Sequence, residues 1–465
     1  MEQRPKLSVT GYRWTFEEKQ DGQVAFEYVR SFAKMIKEKS GGKQEIKFIV
    51  GRDARKSGSK IFQAVKEELN RENIKITYVG IIPIPSVMLL TRKLNFDGGI
   101  MITASHNPPE YNGVKFILPT GKLTNEEETT RLIEIRKNLN DEEKKPIEFT
   151  DEEEEKVDNS EFRKIHIEEI LKNIDVELIR SKKFKVALDP INSGGSIITQ
   201  ELLRELNCQV YVINEKPDGN FAHIPEPLPK NLGQIAQAVK ESGSNIGFAQ
   251  DPDADRLVIV NEKGEVVWEE LTITLAVKSI LSRKEFINQS NNVVTNLSTT
   301  QTLRDVVESY GGKLYRTKVG EANVIQKMEE VNAIIGGEGS GGVMYPKVGY
   351  FRDSLSGIGL ILELLARENE KISEVINSLP KYFMLKDKWS AVGENLSEIY
   401  SKLKSHFKEA TIDEQDGLRL DFPNNSWIHL RPSNTEPIIR LFGEAKDENS
   451  IEALFNEAKL TSGLK

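Results

Sequence analysis

Short apolar runs alternate along this chain with stretches of helical spacing, and their order recurs. Residues 46–50 read as a strand running into the turn Gly51-Arg52-Asp53-Ala54-Arg55, then a helix from about 61 to 69 and a second strand near 76–79. The same order returns as a strand at 184–188, a turn at 189–195, a helix over 199–206 and a strand at 210–213. It returns again as a strand at 293–295, a helix from 302 to 309 and a strand near 314–315. Strand–helix–strand alternation predicts right-handed crossovers and a mainly parallel sheet in each copy.

Each copy then supplies a further apolar strand that ends in a chemically loaded loop. Residues 99–102 lead into Thr103-Ala104-Ser105-His106-Asn107-Pro108-Pro109, and residues 246–249 into Asp251-Pro252-Asp253-Ala254-Asp255-Arg256. Residues 333–335 lead into Gly336-Gly337-Glu338-Gly339-Ser340-Gly341-Gly342. Ligand sites of open α/β sheets lie just outside the carboxyl ends of strands. A hydroxyl, a carboxylate triplet and a glycine-rich acidic loop at three equivalent strand ends therefore point to chemistry rather than to folding alone.

From about Lys386 the pattern changes. A helical stretch near 396–407 precedes strand-like alternation at 417–422 and 426–430. Arg431-Pro432-Ser433-Asn434-Thr435-Glu436-Pro437 interrupts before the run Ile438-Ile439-Arg440-Leu441-Phe442. The expected fold class is α/β, with related units over 1–150, 160–262 and 263–380 and a smaller α+β domain over 386–465. The acidic run at 151–155 reads as a solvated linker.

Length and composition narrow the class further. A chain of 465 residues exceeds what one core supports, and 38% hydrophobic with 29% charged residues is ordinary for a soluble globular protein. A net charge of -8 argues against a nucleic-acid partner, although a few focused Arg and Lys residues suffice for a small anion. The single cysteine, Cys208, reads as a packing residue, and no Cys/His cluster suggests zinc. The first residues lack an apolar targeting core and no run approaches membrane-spanning length. No membrane partner is expected, and the expected location is cytoplasmic.

The turn after residues 99–102 lifts the Ser105 hydroxyl off a strand end, where a serine can carry a covalent group. The same Pro and Asn residues also suit a plain bend. Asp251, Asp253 and Asp255 alternate, and in an extended segment alternate side chains share one face, so three carboxylates can converge on one cation. All-oxygen ligands favour magnesium or a similar hard ion. An EF-hand would put Glu262 at its twelfth position, but it needs glycine at the sixth, where Arg256 stands, and helices rather than strands on both sides. Glu338 and Ser340 offer an acceptor and a donor to sugar hydroxyls, in a loop too poor in lysine for a P-loop. Arg431, Ser433, Asn434 and Thr435 gather a guanidinium, hydroxyls and an amide, a set suited to phosphate, and Arg440 adds a second cation. A turn with a surface arginine would look the same.

In order and together, the segments at 103–109 (with Lys115), 251–256, 337–342 and 431–435 resemble the α-D-phosphohexomutase superfamily, over essentially the whole chain. The resemblance implies four domains around a central cleft, three related mixed α/β sandwich units and a smaller α+β C-terminal domain. It implies a phosphoserine at Ser105, with one Mg²⁺ held by Asp251, Asp253, Asp255 and the phosphate of Ser105. Arg13, His106 and Lys115 become catalytic groups near the transferred phosphoryl. Arg256, Lys318, Glu338 and Ser340 fall to the sugar, and Arg431, Ser433, Asn434, Thr435 and Arg440 to the substrate's own phosphate.

Two positions depart from the family's pattern. Its usual Gly-x-Arg-Gly is here Gly11-Tyr12-Arg13-Trp14, which puts a tryptophan beside the phosphoserine. Common phosphomannomutase/phosphoglucomutase and bacterial phosphoglucosamine mutase branches carry histidine at the position of Gly342. The Gly-Gly ending resembles the archaeal-type phosphoglucosamine mutase group. The implied reaction takes glucosamine 6-phosphate to glucosamine 1-phosphate, with a hexose 1,6-bisphosphate as intermediate and activator. Phosphomannomutase/phosphoglucomutase activity is the alternative, and a catalytically weak sugar-phosphate-binding protein is the alternative of another class. A phosphorylated hexose is the expected partner, and a monomer or homodimer the expected assembly.

Overall fold

Residues 7–9, 11–147, 157–286, 291–390, 394–433 and 438–463 are described by the computed structural model. The acidic run expected as a linker lies outside them. The chain divides into one unit of Met1–Thr272 with Gly341–Glu374 and another of Ile273–Ser340 with Val375–Lys465.

The first unit opens with β1 (Tyr12–Thr15), β2 (Ile46–Arg52), β3 (Ile74–Ile81), β4 (Gly98–Ile102) and β5 (Tyr111–Ile117), ordered β1-β5-β4-β2-β3. β2 pairs in parallel with β3 and β4, whereas β5 runs antiparallel to β4 and β1. Successive side chains of a strand point to opposite faces, so the complete burial of β4 means that both faces of the sheet are covered there. The helix Lys19–Lys39 contributes Phe26, Val29 and Phe32 to a core shared with Phe48, Ile100 and Phe116. The second sheet repeats the plan. β6 (Lys185–Asp189), β7 (Gln209–Val212), β8 (Ile246–Gln250) and β9 (Leu257–Asn261) are ordered β7-β6-β8-β9, with only β9 antiparallel. In both sheets the loaded loop is therefore the turn at which a central parallel strand reverses into an antiparallel neighbour.

In the second unit β10 (Asn292–Asn296) pairs in parallel with β11 (Lys313–Thr317) and β12 (Ile335–Glu338). The chain re-enters the first unit with β13 (Gly342–Met344) and the helix Ser354–Glu368, capped by Asp353. Back in the second unit, β14 (Phe383–Ser390), β15 (Thr411–Asp413), β16 (Leu418–Asp421), β17 (Trp427–Pro432) and β18 (Ile438–Ala445) form an antiparallel sheet ordered β14-β18-β17-β16-β15. Ile399 and Leu403 of the helix Leu396–His406 and Phe455 of the helix Glu448–Ser462 pack with Leu420, Leu430 and Leu441 in its core. His429 and Arg431 alternate with those apolar residues and so occupy the other face.

Two element ends differ from the sequence reading. β12 starts at the end of the expected run and carries Glu338 as its last residue rather than in a loop. β17 continues to Pro432, so Arg431 sits in a strand opposite Arg440, not in a turn. No helix among the described residues is long and apolar enough to cross a membrane.

Candidate active site

Beyond β4 the chain bends sharply while β5 stays attached. Thr103 N donates to Gly113 O at 3.0 Å, and Gly113 is demanded by that closeness, since a Cβ there would lie 2.6 Å from Thr103 O. Ser105 follows with φ +51°, a left-handed conformation that costs a non-glycine residue about 1–2 kcal/mol. Several bonds hold it there. Ser105 N donates to Thr103 Oγ1 at 2.9 Å, and Thr103 Oγ1 donates to Asp53 Oδ2 at 2.7 Å. Arg55, buried and paired with Asp53 at 3.1 Å, sends Nη2 to the carbonyls of Ser105 and Asn107, both at 2.6 Å. Its Nη1 reaches the carbonyls of Pro108 at 2.5 Å and Tyr111 at 2.9 Å. One guanidinium thus satisfies four carbonyls of the serine loop, which is how a strained turn stays in one shape.

The aspartate segment converges by a different route from strand alternation. Ala254 N donates to Asp251 O at 2.9 Å and Ala254 has φ +52°, so a tight turn gathers the carboxylates. Asp251 Oδ1 accepts from the amides of Asp255 and Arg256, both at 3.1 Å, while its Oδ2 lies 3.2 Å from Ser105 Oγ. Lys115 Nζ is 2.7 Å from Asp253 Oδ2 and 3.9 Å from Asp255 Oδ2. Arg352 Nη2 meets Asp255 Oδ2 at 2.6 Å, and Arg256 Nε lies 3.9 Å from Asp255 Oδ1. The turn is anchored from behind by Ile84 N on Asp253 O at 3.0 Å, Gly194 N on Pro252 O at 3.0 Å and Ser354 Oγ on Ala254 O at 2.6 Å.

Three buried carboxylates each place one oxygen within 4.8 Å of the others. Asp253 Oδ1 and Asp255 Oδ1 are buried and accept no hydrogen bond, an expensive state that a hard divalent cation such as Mg²⁺ would relieve. The residues present fit that group. Burial, then Asp255 and Asp253, push the Asp251 carboxyl well above the usual carboxylate range. Burial pushes Asp253 up too, but the adjacent Lys115 ammonium outweighs it and holds that carboxyl below its ordinary value. His106, with Nδ1 3.2 Å from Ser105 Oγ, is driven well below the ordinary imidazole value by Arg256, burial and Arg13.

Arg13 donates from Nη1 to Asn107 Oδ1 at 2.7 Å and so touches the serine loop. Trp14 does not. On β1 it faces the opposite way, 1% exposed, edge-on to Phe26 with ring centres 6.1 Å apart. The departure from the expected glycine is thus absorbed by the core behind β1 and leaves Arg13 on the serine's side.

In the second unit, exposed Lys318 follows β11, and buried Glu338 accepts from Asn296 Nδ2 at 2.9 Å and Gly320 N at 3.1 Å. Ser340 is half-buried two residues beyond β12. Arg431 is buried, with Nε 3.0 Å from Asp416 Oδ2, and Arg440 is its cross-strand partner. Ser433 N donates to Ile438 O at 2.8 Å. Asn434 and Thr435 lie outside the described residues. Ser105, His106, Arg13, Lys115, Asp251, Asp253, Asp255 and Arg256 therefore gather in one unit, and the remaining described candidates belong to the other.

Sequence reasoning missed Asp53, Arg55, Arg352 and Asp416. Asp53 and Arg55 stood in a turn already recognised at a strand end, the same position that flagged Ser105. Arg352 has a counterpart in Gly342, where a Cβ would lie 2.4 Å from Arg352 Cδ. The glycine at 342 and the arginine on Asp255 are one feature, because the arginine fills the space that a side chain at 342 would need.

Four domain families match the chain in order. The phosphoglucomutase/phosphomannomutase alpha/beta/alpha domains I, II and III cover residues 4–144, 164–264 and 269–383, and the C-terminal domain covers 386–460. A phosphoglucomutase/phosphomannomutase of Thermococcus kodakarensis is 35% identical over 440 residues, 94% of each chain. A phosphoglucosamine/phosphogalactosamine mutase of Sulfurisphaera tokodaii is 35% identical over 421 residues, 89% of this chain and 90% of that one. Among solved structures, a phosphoglucomutase/phosphomannomutase family protein of Burkholderia thailandensis matches with a TM-score of 0.81 at 26% identity, over 98% of this chain and 97% of that one. With mixed α/β sheets in the first three domains and a sheet in the fourth, the chain belongs to the phosphoglucomutase/phosphomannomutase family of phosphohexomutases, which are isomerases.

Proposed function

We propose that the protein interconverts glucosamine 6-phosphate and glucosamine 1-phosphate, with Ser105 as phosphoryl carrier and a hexose 1,6-bisphosphate formed and consumed in each turnover. The observation that carries this reading is the Ser105 hydroxyl, 3.2 Å from Asp251 at the rim of a buried, cation-ready carboxylate cluster. In the first half-reaction the bond from Ser105 Oγ to phosphorus breaks as the free hydroxyl oxygen of the bound monophosphate bonds to that phosphorus. Arg13, His106 and Lys115 steer the proton that this hydroxyl gives up to the freed Ser105 Oγ. In the second half the turned bisphosphate returns its other phosphoryl group to Ser105 Oγ, whose proton passes to the freed sugar oxygen.

Phosphoryl transfer passes through a loose transition state, so catalysis is mostly positioning and charge neutralisation. Mg²⁺ on Asp251, Asp253 and Asp255 supplies positive charge to the transferring group when bound. The chain supplies the rest. Arg55 fixes the serine loop, and Lys115 and Arg352 brace the aspartates from the protein side. Arg431, Ser433, Asn434, Thr435 and Arg440 take the phosphate that is not reacting, and Arg256, Lys318, Glu338 and Ser340 take the sugar.

The Gly341-Gly342 ending and the name of the Sulfurisphaera relative support glucosamine; the name of the Thermococcus relative supports glucose or mannose as a second reading. The test compares kcat/KM for glucosamine 6-phosphate, mannose 6-phosphate and glucose 6-phosphate with Mg²⁺ and hexose 1,6-bisphosphate present. A preference of about tenfold or more for glucosamine supports the proposal, and a preference for either other sugar moves the assignment. No isomerisation of any of the three overturns it.

A further inference from the structure

Arg431 is held by more than its strand. Asp416, in the turn between β15 and β16, places Oδ2 3.0 Å from Arg431 Nε, and the same oxygen accepts from Val319 N at 2.9 Å. The backbone at Asp416 is itself pinned, since its carbonyl lies 2.6 Å from His429 Nε2 while His429 Nδ1 lies 3.0 Å from Ser298 Oγ. One residue beyond Val319, Gly320 N donates to Glu338 Oε1 at 3.1 Å, and Asn296 Nδ2 meets the same oxygen at 2.9 Å. An unbroken polar chain therefore runs from Asn296 through Glu338, the 319–320 backbone and Asp416 to Arg431, all within one unit.

The way Asp416 meets Arg431 matters as much as the contact. It meets Nε as an ion pair without hydrogen-bond geometry, and among the described residues the two terminal nitrogens of Arg431 have no hydrogen-bond or ion-pair partner. A guanidinium braced at one edge keeps its fork directed outward, the geometry that grips an oxyanion bidentately. We propose that Asp416 is a positioning residue whose single carboxylate oxygen sets the Arg431 fork and the Lys318–Gly320 backbone relative to each other, so that phosphate grip and sugar grip form one preassembled surface. This rests on the reading that Arg431 takes the substrate's phosphate. A purely structural Asp416 would instead govern melting temperature and leave ligand affinity alone.

The test compares wild type, Asp416→Ala, Asp416→Asn, Arg431→Lys and the Asp416→Ala/Arg431→Lys double variant. Glucosamine 6-phosphate binding is read by calorimetry, KM and kcat by turnover, and amide exchange over residues 317–320 by mass spectrometry. Asp416→Ala should raise Kd and KM about tenfold or more, the worth of a charge-assisted contact, with a smaller fall in kcat. Asp416→Asn keeps an oxygen for Val319 N without the charge that pairs with Arg431 and should recover part of the loss. Arg431→Lys keeps a cation but has no Nε, so in that background Asp416→Ala should cost only the part carried by Val319 N and less than it costs wild type, whereas independent roles would add fully. Exchange at Val319 should quicken in Asp416→Ala and not in Arg431→Lys. Unchanged Kd and KM in a folded Asp416→Ala, or full additivity, overturns the proposal. If Asp416→Ala does not fold, Asp416→Asn in both backgrounds decides by the same criteria. Wild type that binds glucosamine 6-phosphate yet never isomerises any hexose phosphate overturns the mutase reading while the calorimetric test of Asp416 stands. Wild type that does not bind overturns the phosphate role of Arg431 and this proposal with it.

Discussion

Lys115 and Asp253 form a buried ion pair, Nζ 2.7 Å from Oδ2, and that lysine is the ammonium closest to a cluster of three carboxylates. The pair does part of what a bound cation would do, and it competes with one. Breaking a buried pair costs about 3–5 kcal/mol because it strands a charge. Lys115→Met without metal should therefore melt well below wild type. Added Mg²⁺ should restore it by a larger margin than it raises wild type, and should bind it more tightly, since a like charge has gone. Chelation should silence wild-type turnover reversibly. Equal Mg²⁺ responses in the two proteins would refute the assignment of the cation to this cluster.

Ser105→Ala and Arg55→Ala separate carrying from positioning. Ser105→Ala should lose mutase turnover entirely and keep a melting curve within about 1 kcal/mol of wild type, and intact-mass analysis should find phosphate on wild-type Ser105 only. Arg55→Ala leaves four loop carbonyls and buried Asp53 without their donor, so it should cost several kcal/mol and lower kcat as the serine turn loosens. A stable, fully active Arg55→Ala protein would show that the turn holds itself.

Gly342→His tests whether the glycine exists for Arg352. A side chain there would sit 2.4 Å from Arg352 Cδ and force the guanidinium off Asp255. Both Gly342→His and Arg352→Met should then lower kcat more than they raise KM, because Asp255 in the proposed mechanism serves the transferring group rather than the sugar. If the two variants together are no worse than either alone, one interaction has been removed twice. Full additivity would mean that Gly342 acts independently.

Acid should unlock the second unit. Burial lowers His429 from 6.5 to about 4, so it folds neutral while its unfolded form protonates readily. The folded value is the lower one, hence its contribution is complete above about pH 6.5 and is lost as pH falls towards 4. The loss is on the order of 3 kcal/mol at about 1.4 kcal/mol per unit. Urea melts of wild type and His429→Gln across this range should converge as pH drops. Parallel curves would remove His429 from the account.

What the sequence disclosed was the chemistry written in contiguous stretches at strand ends. Ser105 and the aspartate triplet stand where an apolar run stops, and that local contrast needs no tertiary knowledge. Their geometry was less accessible. The aspartates meet through a left-handed Ala254, a conformation that alanine does not announce. Arg55 lies 50 residues before the serine whose carbonyl it holds, and Arg352 lies 97 after Asp255. Neither has a local signature, because its partner exists only once the sheet is built. From sequence Trp14 stands beside the serine, since facing is undecided until β1 pairs with β5 and sends Arg13 and Trp14 opposite ways.

The return of Gly341–Glu374 to the first unit sets an order of events during synthesis. The aspartate turn leaves the ribosome early, but Arg352 on Asp255, Ser354 on Ala254 and Asp353 on His166, 3.2 Å from Nε2, arrive only after Ile273–Ser340 has been made. Domains usually fold as units in the order of their synthesis; this one must wait for an insertion to pass. A chain ending at Thr272 should therefore be cut by protease within residues 251–256, a turn that the full-length protein protects.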